Sequence, residues 1–190
     1  MSYYNGDQLR EMGAKFVGRS VQISTKCSIY GIENMSFGDF VRVDDFCMLS
    51  GRIDIGRNVH IAAFCNVAGG EPGITIGDFS GLAYAVTVFA QSDDYSGKSM
   101  TNPTIPDCYK REVKLPIIIE KHCIVGAHSI VLPGVRIADG CAIGAMSMVT
   151  KSTQEWGVYF GCPAKRLKSR SQELLSDCQQ YLDLVTSDVL

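Results

Sequence analysis

Two adjacent carboxylates, Asp93 and Asp94, are the side chains in this sequence best suited to chemistry, with Tyr95 directly after them and Tyr84 a short distance before. A carboxylate can orient an amine and accept its proton, and a phenol can donate a hydrogen bond to a polar substrate. A carboxyl group with an ordinary pKa near 4 is a weak base, however, and aspartates also cap the turns of loops. Both roles stay open at this point.

The elements that must position these groups follow a six-residue period. Eighteen hexads between residues 17 and 154 open on an apolar residue, and glycine or another turn-forming residue often comes next. The first positions hold Val17, Ile23, Ile29, Phe37, Val43, Leu49, Ile55, Ile61, Val67, Ile76, Leu82, Val88, Ile119, Val125, Val131, Ile137, Ile143 and Val149. Six is a multiple of the strand period of two but not of the helix period of 3.6, so the pattern predicts short strands and turns.

A chain that repeats such turns winds into a parallel β-solenoid, whose coils stack at roughly 4.8 Å and bury their inner faces on one another. Aspartate, asparagine or glycine often follows the second hexad position, as at Asp39, Asp45, Asn58, Asp78 and Gly140. These residue types tolerate positive φ, so the sequence predicts that they turn the corners.

Three segments fall outside the period. We predict an N-terminal helical cap over residues 1–16, with its helix from Asn5 to Met12, and a C-terminal extension over 155–190, with an amphipathic helix over 171–185. The solenoid between them, 17–154, is interrupted by a loop over 89–116 that contains Asp93, Asp94 and Tyr95. Long insertions in repeat proteins are usually functional, so we expect this loop to line a binding site.

Composition narrows the class of protein. The chain has 190 residues, 46% of them hydrophobic, and its 18 basic and 20 acidic residues give a net charge of −2. We therefore expect no nucleic-acid partner, no membrane span and a cytoplasmic location. Of the eight cysteines, five hold the fifth position of a hexad and are predicted to be free, inward-facing thiols: Cys27, Cys47, Cys65, Cys123 and Cys141. No CxxC or HxxxH spacing points to a metal site, so we expect none.

The hexads, together with the sequence FGCPAKR at residues 160–166, resemble the hexapeptide-repeat acyltransferases, in particular their sugar O- and N-acyltransferase branch. The resemblance covers about three quarters of the chain. It implies an all-β, left-handed parallel β-helix of about six coils, triangular in section, that assembles as a homotrimer with sites between subunits. The hand comes from the resemblance alone, because parallel crossovers are right-handed in roughly 98% of cases.

The same resemblance implies acetyl-CoA or another acyl-CoA as co-substrate, with no tightly bound cofactor. In such enzymes the pantetheine arm pairs with backbone amides along a coil edge, for which the candidates here are Gly126, Ala127, Ser129, Gly144 and Ala145. These small residues also suit a tight corner, so that reading stays open beside the first. Lys165 and Arg166 are placed to meet a phosphate group, a role that requires positive charge.

The sequence differs from many relatives in its histidines. Those relatives carry a histidine in the loop, where it acts as general base on an acceptor hydroxyl. The corresponding stretch, Gln91 to Tyr95, has none, and we expect His60, His122 and His128 to be surface or interface residues. An amine with a pKa near 8 is already neutral to the extent of about a tenth at pH 7, so it needs a base less than a sugar hydroxyl does.

The run 92–97, SDDYSG, also resembles loops of enzymes that acylate nucleotide-linked 4-amino-4,6-dideoxy sugars. The first expectation is therefore N-acylation of a nucleotide-linked amino sugar in surface-polysaccharide biosynthesis, with Asp94 or Asp93 orienting the amine. Tyr84 would bond the sugar or the thioester, and Tyr95 would help bind the acceptor. The alternatives are sugar O-acetylation, with Asp94 or a neighbouring subunit's histidine as base, and a non-catalytic scaffold, which the insertion and FGCPAKR argue against.

Overall fold

The computed structural model describes residues 2–187, which form a triangular prism of stacked strands with two helices. The strands of its first wall are Gln22–Ser24, Arg42–Val43, His60–Ile61, Gly81–Leu82, Ile124–Val125, Ala142–Ile143 and Gly157–Phe160. The second and third walls share the long strands Met48–Ile55 and Asn66–Ile76. The remaining strands of the second wall are Ser28–Tyr30, Thr87–Phe89, Ile130–Val131 and Met148–Val149, and those of the third are Phe16–Val17, Met35–Phe37, Ile117–Ile119 and Arg136–Ile137.

The first residues of the hexads lie one above another inside the prism. Val43 pairs with Ile61, and Ile61 pairs with Leu82, in parallel register along the first wall. Ile29 is half-buried, and the other seventeen first-position residues are buried in one continuous core. The parallel β-solenoid predicted from the hexads is thereby confirmed. The first wall gains one further strand beyond residue 154, Gly157–Phe160, whose Tyr159 takes the inward position.

The corners turn at the fourth hexad position, which corrects part of the sequence prediction. Positive φ occurs at Asn58 and Gly140 as expected, but elsewhere mainly at large residues such as Phe46, Phe64 and His122 rather than at Asp39, Asp45 or Asp78. The aspartates act as caps: Asp39 and Asp78 accept hydrogen bonds from the backbone N–H groups of Arg19 and Arg57, at 2.8 and 2.9 Å. Stacking of side chains between neighbouring coils offsets the backbone strain of these positive-φ residues.

We number the corners in chain order. At the first corner, between the first and second walls, Phe46 stacks on Phe64 with ring centroids 5.2 Å apart. The second corner, between the second and third walls, carries the insertion. At the third corner, which leads back to the first wall, Phe79 stacks on His122 at 5.3 Å. Each corner therefore forms a continuous ridge along the prism, and each ridge has its own set of side chains.

All five fifth-position cysteines are buried and free, as predicted. Burial raises the pKa of Cys27 and of Cys123 to about 12, so both thiols stay protonated. They fill the narrow interior as small apolar side chains. Cys108 and Cys162 are exposed and Cys178 is half-buried.

Helices close the two ends of the chain. Helix α1, Gly6–Glu11, begins with a capping box between Asn5 and Gln8, and its Leu9 is buried in the core at the open end of the prism. The strand Tyr3–Tyr4 pairs antiparallel with Gln22–Ser24 beside it. After the first wall, Lys165–Ser169 returns antiparallel along Gly157–Phe160 and leads to helix α2, Leu174–Ser187.

The insertion is ordered by its own contacts. Gln91–Ser92 and Val113–Lys114 form an antiparallel pair at its base, and a short 3₁₀ turn, Asp107–Tyr109, lies near its tip. The ammonium group of Lys110 is almost buried between the carboxylates of Asp107 and Glu112, at 2.9 and 3.2 Å. A nearly buried cation held by two carboxylates fixes the loop better than an exposed ion pair would.

Candidate functional site

A groove crosses the outer face of the first wall because Gly81 has no side chain. A Cβ atom at Gly81 would meet only the carbonyl oxygen of His60, at 3.6 Å, so the space above this residue is open. Two cavities meet there and share His60, Gly81 and Ile124 as lining residues. The larger, about 610 Å³, extends to α2, and the smaller, about 220 Å³, extends to Tyr84 at the first corner.

Helix α2 forms the outer side of the larger cavity and is held in place by contacts at the third corner. Asn58 donates a hydrogen bond to the Tyr181 hydroxyl at 2.9 Å, and the ring of Tyr181 meets the ring of Phe79 edge-on. The guanidinium group of Arg170, just before α2, donates to the carbonyl oxygens of His122 and Gly140 at 2.7 and 2.9 Å. These contacts hold the groove open beside a rigid wall.

Along the first corner, the structure places Tyr84 in line with two of the predicted coenzyme A contacts. The amide of His128 donates to the carbonyl oxygen of Tyr84, and that of Met146 donates to the carbonyl oxygen of Ala127, so Tyr84, Ala127 and Ala145 occupy successive coils. Among residues 2–187, the backbone N–H groups of Ala127 and Ala145 have no hydrogen-bond acceptor. They are donors available to a ligand lying along this corner.

The other small residues of the set have packing roles. A Cβ at Gly126 would collide with the backbone of Ala145, so this position requires glycine, whereas a Cβ at Gly144 would displace the ring of Phe160. Ser129 faces inward: its hydroxyl donates to the Gly144 carbonyl oxygen at 2.9 Å and accepts from the Ser147 amide at 3.2 Å. The Ser129 hydroxyl therefore stabilises the corner and is not free for a cofactor.

The two predicted phosphate-binding cations lie beyond the end of the row formed by Tyr84, Ala127 and Ala145. Lys165 and Arg166 are exposed in the strand that returns along Gly157–Phe160, where Lys165 is opposite Phe160. This strand follows a turn at Gly161–Ala164 that contains a cis Cys162–Pro163 peptide bond. Phe160 packs above Gly144, so Lys165 lies two strands beyond the coil that carries Ala145.

The loop acids lie at a different corner. Asp94 accepts hydrogen bonds from the Ser96 amide at 2.8 Å and from the Ser99 hydroxyl at 3.0 Å. The bonds from Ser96 and Ser99 hold its pKa at about 2, so this carboxylate is ionised and a very weak base. The Asp93 carboxylate accepts a hydrogen bond from the backbone N–H of Asn102 at 3.2 Å, and Tyr95 is 93% exposed.

Within one chain, therefore, the predicted residues form two separate groups. Tyr84 and the coenzyme A candidates lie at the first corner, whereas Asp93, Asp94 and Tyr95 follow the second wall at the second corner. None of the loop acids lines either of the two cavities on the first wall.

Sequence reasoning missed one pair of residues in the groove, Asp44 and His60. The Asp44 side chain is 8% exposed and accepts hydrogen bonds from Arg42 Nε at 2.7 Å and from His60 Nε2 at 2.8 Å. Burial would raise the pKa of Asp44, but the bonds from His60 and Arg42 outweigh it and the pKa lies below its usual value. The available signal was a charged residue at a second hexad position, where most hexads have glycine or another small residue.

The other two histidines agree with their predicted surface location only in part. His128 is exposed at the first corner, but His122 is half-buried between the rings of Phe79 and Trp156. Burial lowers the pKa of His122, so its ring is neutral and acts as a packing surface at the third corner.

Comparison with known proteins identifies the family. Residues 116–151 match the family model described as bacterial transferase hexapeptide (six repeats). The chain is 42% identical, over 92% of its length and 92% of the relative, to dTDP-4-amino-4,6-dideoxy-D-glucose acyltransferase of Escherichia coli. This chain belongs to the hexapeptide-repeat acyltransferases. It is an acyltransferase of the branch that the sequence resembled.

Solved structures agree with this assignment of the acyltransferase. AntD, an N-acyltransferase from Bacillus cereus solved with dTDP and 3-hydroxybutyryl-CoA, superposes with a TM-score of 0.95 at 42% identity, covering 97% of this chain and 98% of AntD. A variant of AntD solved with dTDP-4-amino-4,6-dideoxyglucose and coenzyme A gives a TM-score of 0.93, also at 42% identity, over 96% and 97% of the two chains. The left-handed β-helix expected for the acyltransferase is the fold that these proteins share.

Proposed function

We propose that this acyltransferase moves an acyl group from acyl-CoA to the amino group of a dTDP-linked 4-amino-4,6-dideoxy sugar. The observation that carries the proposal is the nearly full-length match to AntD, which has been solved with both kinds of ligand. The open groove beside Gly81 and the unpaired amides of the first corner support it, because they offer space for an acceptor next to donors for an extended thioester.

In this proposal acyl-CoA lies along the first corner. The pantetheine arm pairs with the backbone N–H groups of Ala127 and Ala145. Gly126 and Gly144 let neighbouring coils approach closely, so that these N–H groups form a straight row. The thioester lies beside Tyr84, and the phosphate groups lie near Lys165 and Arg166. Coils spaced at roughly 4.8 Å separate Tyr84 from these cations by several strands, which suits an extended ligand.

We further propose that the chain works as a homotrimer. The first corner exposes an apolar ridge in the isolated chain, with Phe46 54%, Phe64 62% and Met146 70% exposed. Exposed apolar ridges of this kind mark protein contacts. A second copy that packs its second corner against this ridge brings its Asp93, Asp94 and Tyr95 towards Tyr84, which explains why one chain keeps these residues apart.

The chemistry then needs an amine held against a thioester. The amine nitrogen attacks the thioester carbonyl carbon, a carbon–nitrogen bond forms, the carbon–sulfur bond breaks, and coenzyme A leaves as its thiol. With a pKa of about 2, Asp94 stays ionised and orients the amine through its charge rather than taking its proton. Tyr84 donates a hydrogen bond to the sugar or to the thioester oxygen.

We place this reaction in the cytoplasm, in the biosynthesis of surface polysaccharide. Eight free cysteines suit a reducing compartment. In the described part of the chain, neither helix has the length and apolar character needed to cross a membrane.

Mass spectrometry of the product tests the proposed function. Purified enzyme is incubated with acetyl-CoA or 3-hydroxybutyryl-CoA and, in parallel, with dTDP-4-amino-4,6-dideoxyglucose and its 4-hydroxy counterpart. We expect the amino sugar to gain one acyl mass as an amide that resists mild base. Acylation of the 4-hydroxy sugar at an equal or higher rate, giving a base-labile ester, would instead support O-acylation.

A further inference from the structure

The Asp44–His60 pair has the arrangement of a catalytic dyad, and it also links two neighbouring strands of the first wall. His60 begins a strand of the first wall, and its ring faces outward into the groove, half exposed. The core below is closed by Ile61 and its neighbours and does not depend on the imidazole. Asp44, by contrast, is nearly buried although it is ionised, a costly arrangement unless its partners are fixed.

The hydrogen bonds set the proton positions of the pair. An ionised Asp44 can only accept, so the Nε2 of His60 that lies 2.8 Å from it carries a proton. The other carboxylate oxygen accepts a hydrogen bond from Arg42 Nε at 2.7 Å, which helps to hold the carboxylate in place. When the ring is neutral, its lone pair therefore lies on Nδ1, in the tautomer that a base requires.

The position of the Asp44–His60 pair in the fold would let this tautomer act on a bound acceptor. His60 lines both cavities, at the point where the open floor of Gly81 joins them, and Tyr84 lines the smaller one. An acceptor sugar that reaches the thioester beside Tyr84 through this groove passes the imidazole. Asp94 is a poor alternative base, because its oxygens are engaged by Ser96 and Ser99 and its pKa is about 2.

We propose that His60, positioned by Asp44, is the general base of the acyl transfer. As the amine nitrogen bonds to the thioester carbon, its proton passes to His60 Nδ1, and the carbon–sulfur bond breaks with its electron pair on sulfur. The imidazolium then returns the proton to the thiolate, and both the amide and the coenzyme A thiol leave neutral at the reacting atoms. This inference rests on the proposed N-acyl transfer.

Chemical rescue tests the inference. We expect His60→Ala to lower kcat by about 10²-fold, the usual contribution of a positioned base, with KM for acyl-CoA unchanged. Added imidazole should restore at least a tenth of the lost rate, because the side chain lies in an open groove. Asp44→Asn should lower kcat by about tenfold without a response to imidazole. The matched control is Asp39→Asn, which removes a carboxylate charge that pairs with Arg19 at the third corner and should leave kcat unchanged.

The outcomes separate the inference from the function on which it rests. Wild-type enzyme that acylates the amino sugar, with His60→Ala and His60→Gln both within twofold of its kcat, overturns the role of His60 and leaves the proposed function intact. A loss in His60→Ala that imidazole does not restore also overturns it. Wild-type enzyme that forms no amide under any condition overturns both.

Discussion

Gly81→Leu should reduce kcat/KM for the amino sugar by at least about 10³-fold while the melting temperature stays close to that of the wild type. The new side chain would project from the first wall into the space that joins the two cavities, between His60 and Ile124. Misplacement of a reactant by about 1 Å can already cost 10²-fold, and here the path of the acceptor would be filled. Steady-state rates at saturating acyl-CoA measure the effect.

A graded series separates this blockade from damage to the fold. Gly81→Ala adds a Cβ that meets only one atom within 4 Å, at 3.6 Å, so it should fold normally and retain most of the activity. Gly38→Ala is the contrasting variant, because its Cβ would lie 2.6 Å from the Gly56 backbone and should lower stability instead. Full activity in Gly81→Leu would mean that the acceptor does not use this groove.

Asp94→Ala should lower kcat/KM by about 10² to 10³-fold, the range seen when one preorganised polar group is removed from an active site. The carboxylate holds the turn through Ser96 and Ser99 and, in the proposed trimer, points its charge at the amine. Asp94→Asn keeps the shape but not the charge, and we expect it to lose more than tenfold. Rates for both variants, measured with wild type at several amino-sugar concentrations, give these values.

The pH dependence offers an independent check on the role of Asp94. Bonds from Ser96 and Ser99 depress its pKa to about 2, so the group is fully ionised from pH 5 to pH 9 and loses its charge only as the pH falls towards 2. A decline of kcat/KM between pH 8 and pH 5 must therefore reflect another group, and it should persist in Asp94→Asn. Disappearance of that decline in the variant would contradict the assignment.

Much of the fold could be predicted because the hexad pattern reports directly on burial. Val43, Ile61 and Leu82 stack as the period requires, and the fifth-position cysteines are buried beside them. The conformation of the corners could not be predicted by residue preference. Phe46 and Phe64 adopt positive φ because stacking between coils offsets the local strain, and such stacking depends on a neighbour eighteen residues away.

The site was predicted less completely for a physical reason. Periodicity indicates which side chains face inward, but a groove depends on which outward side chains are missing, as at Gly81, and on where helix α2 packs. The Asp44–His60 pair joins two coils, so neither residue is informative alone. The hydroxyl of Ser129 bonds within the corner, so the contact with coenzyme A predicted for this residue from its small size stays a prediction.

Mixed oligomers test most directly the central claim that one copy supplies the groove and another supplies the loop. Gly81→Leu and Asp94→Ala chains, differently tagged, are co-expressed, and the mixed species are purified through both tags. Each mixed trimer, of either composition, contains one site among three that combines the intact first wall of one chain with the intact loop of another, so about a third of wild-type activity should return. Activity no higher than that of the separate variants would contradict the claim and place the whole site within a single chain.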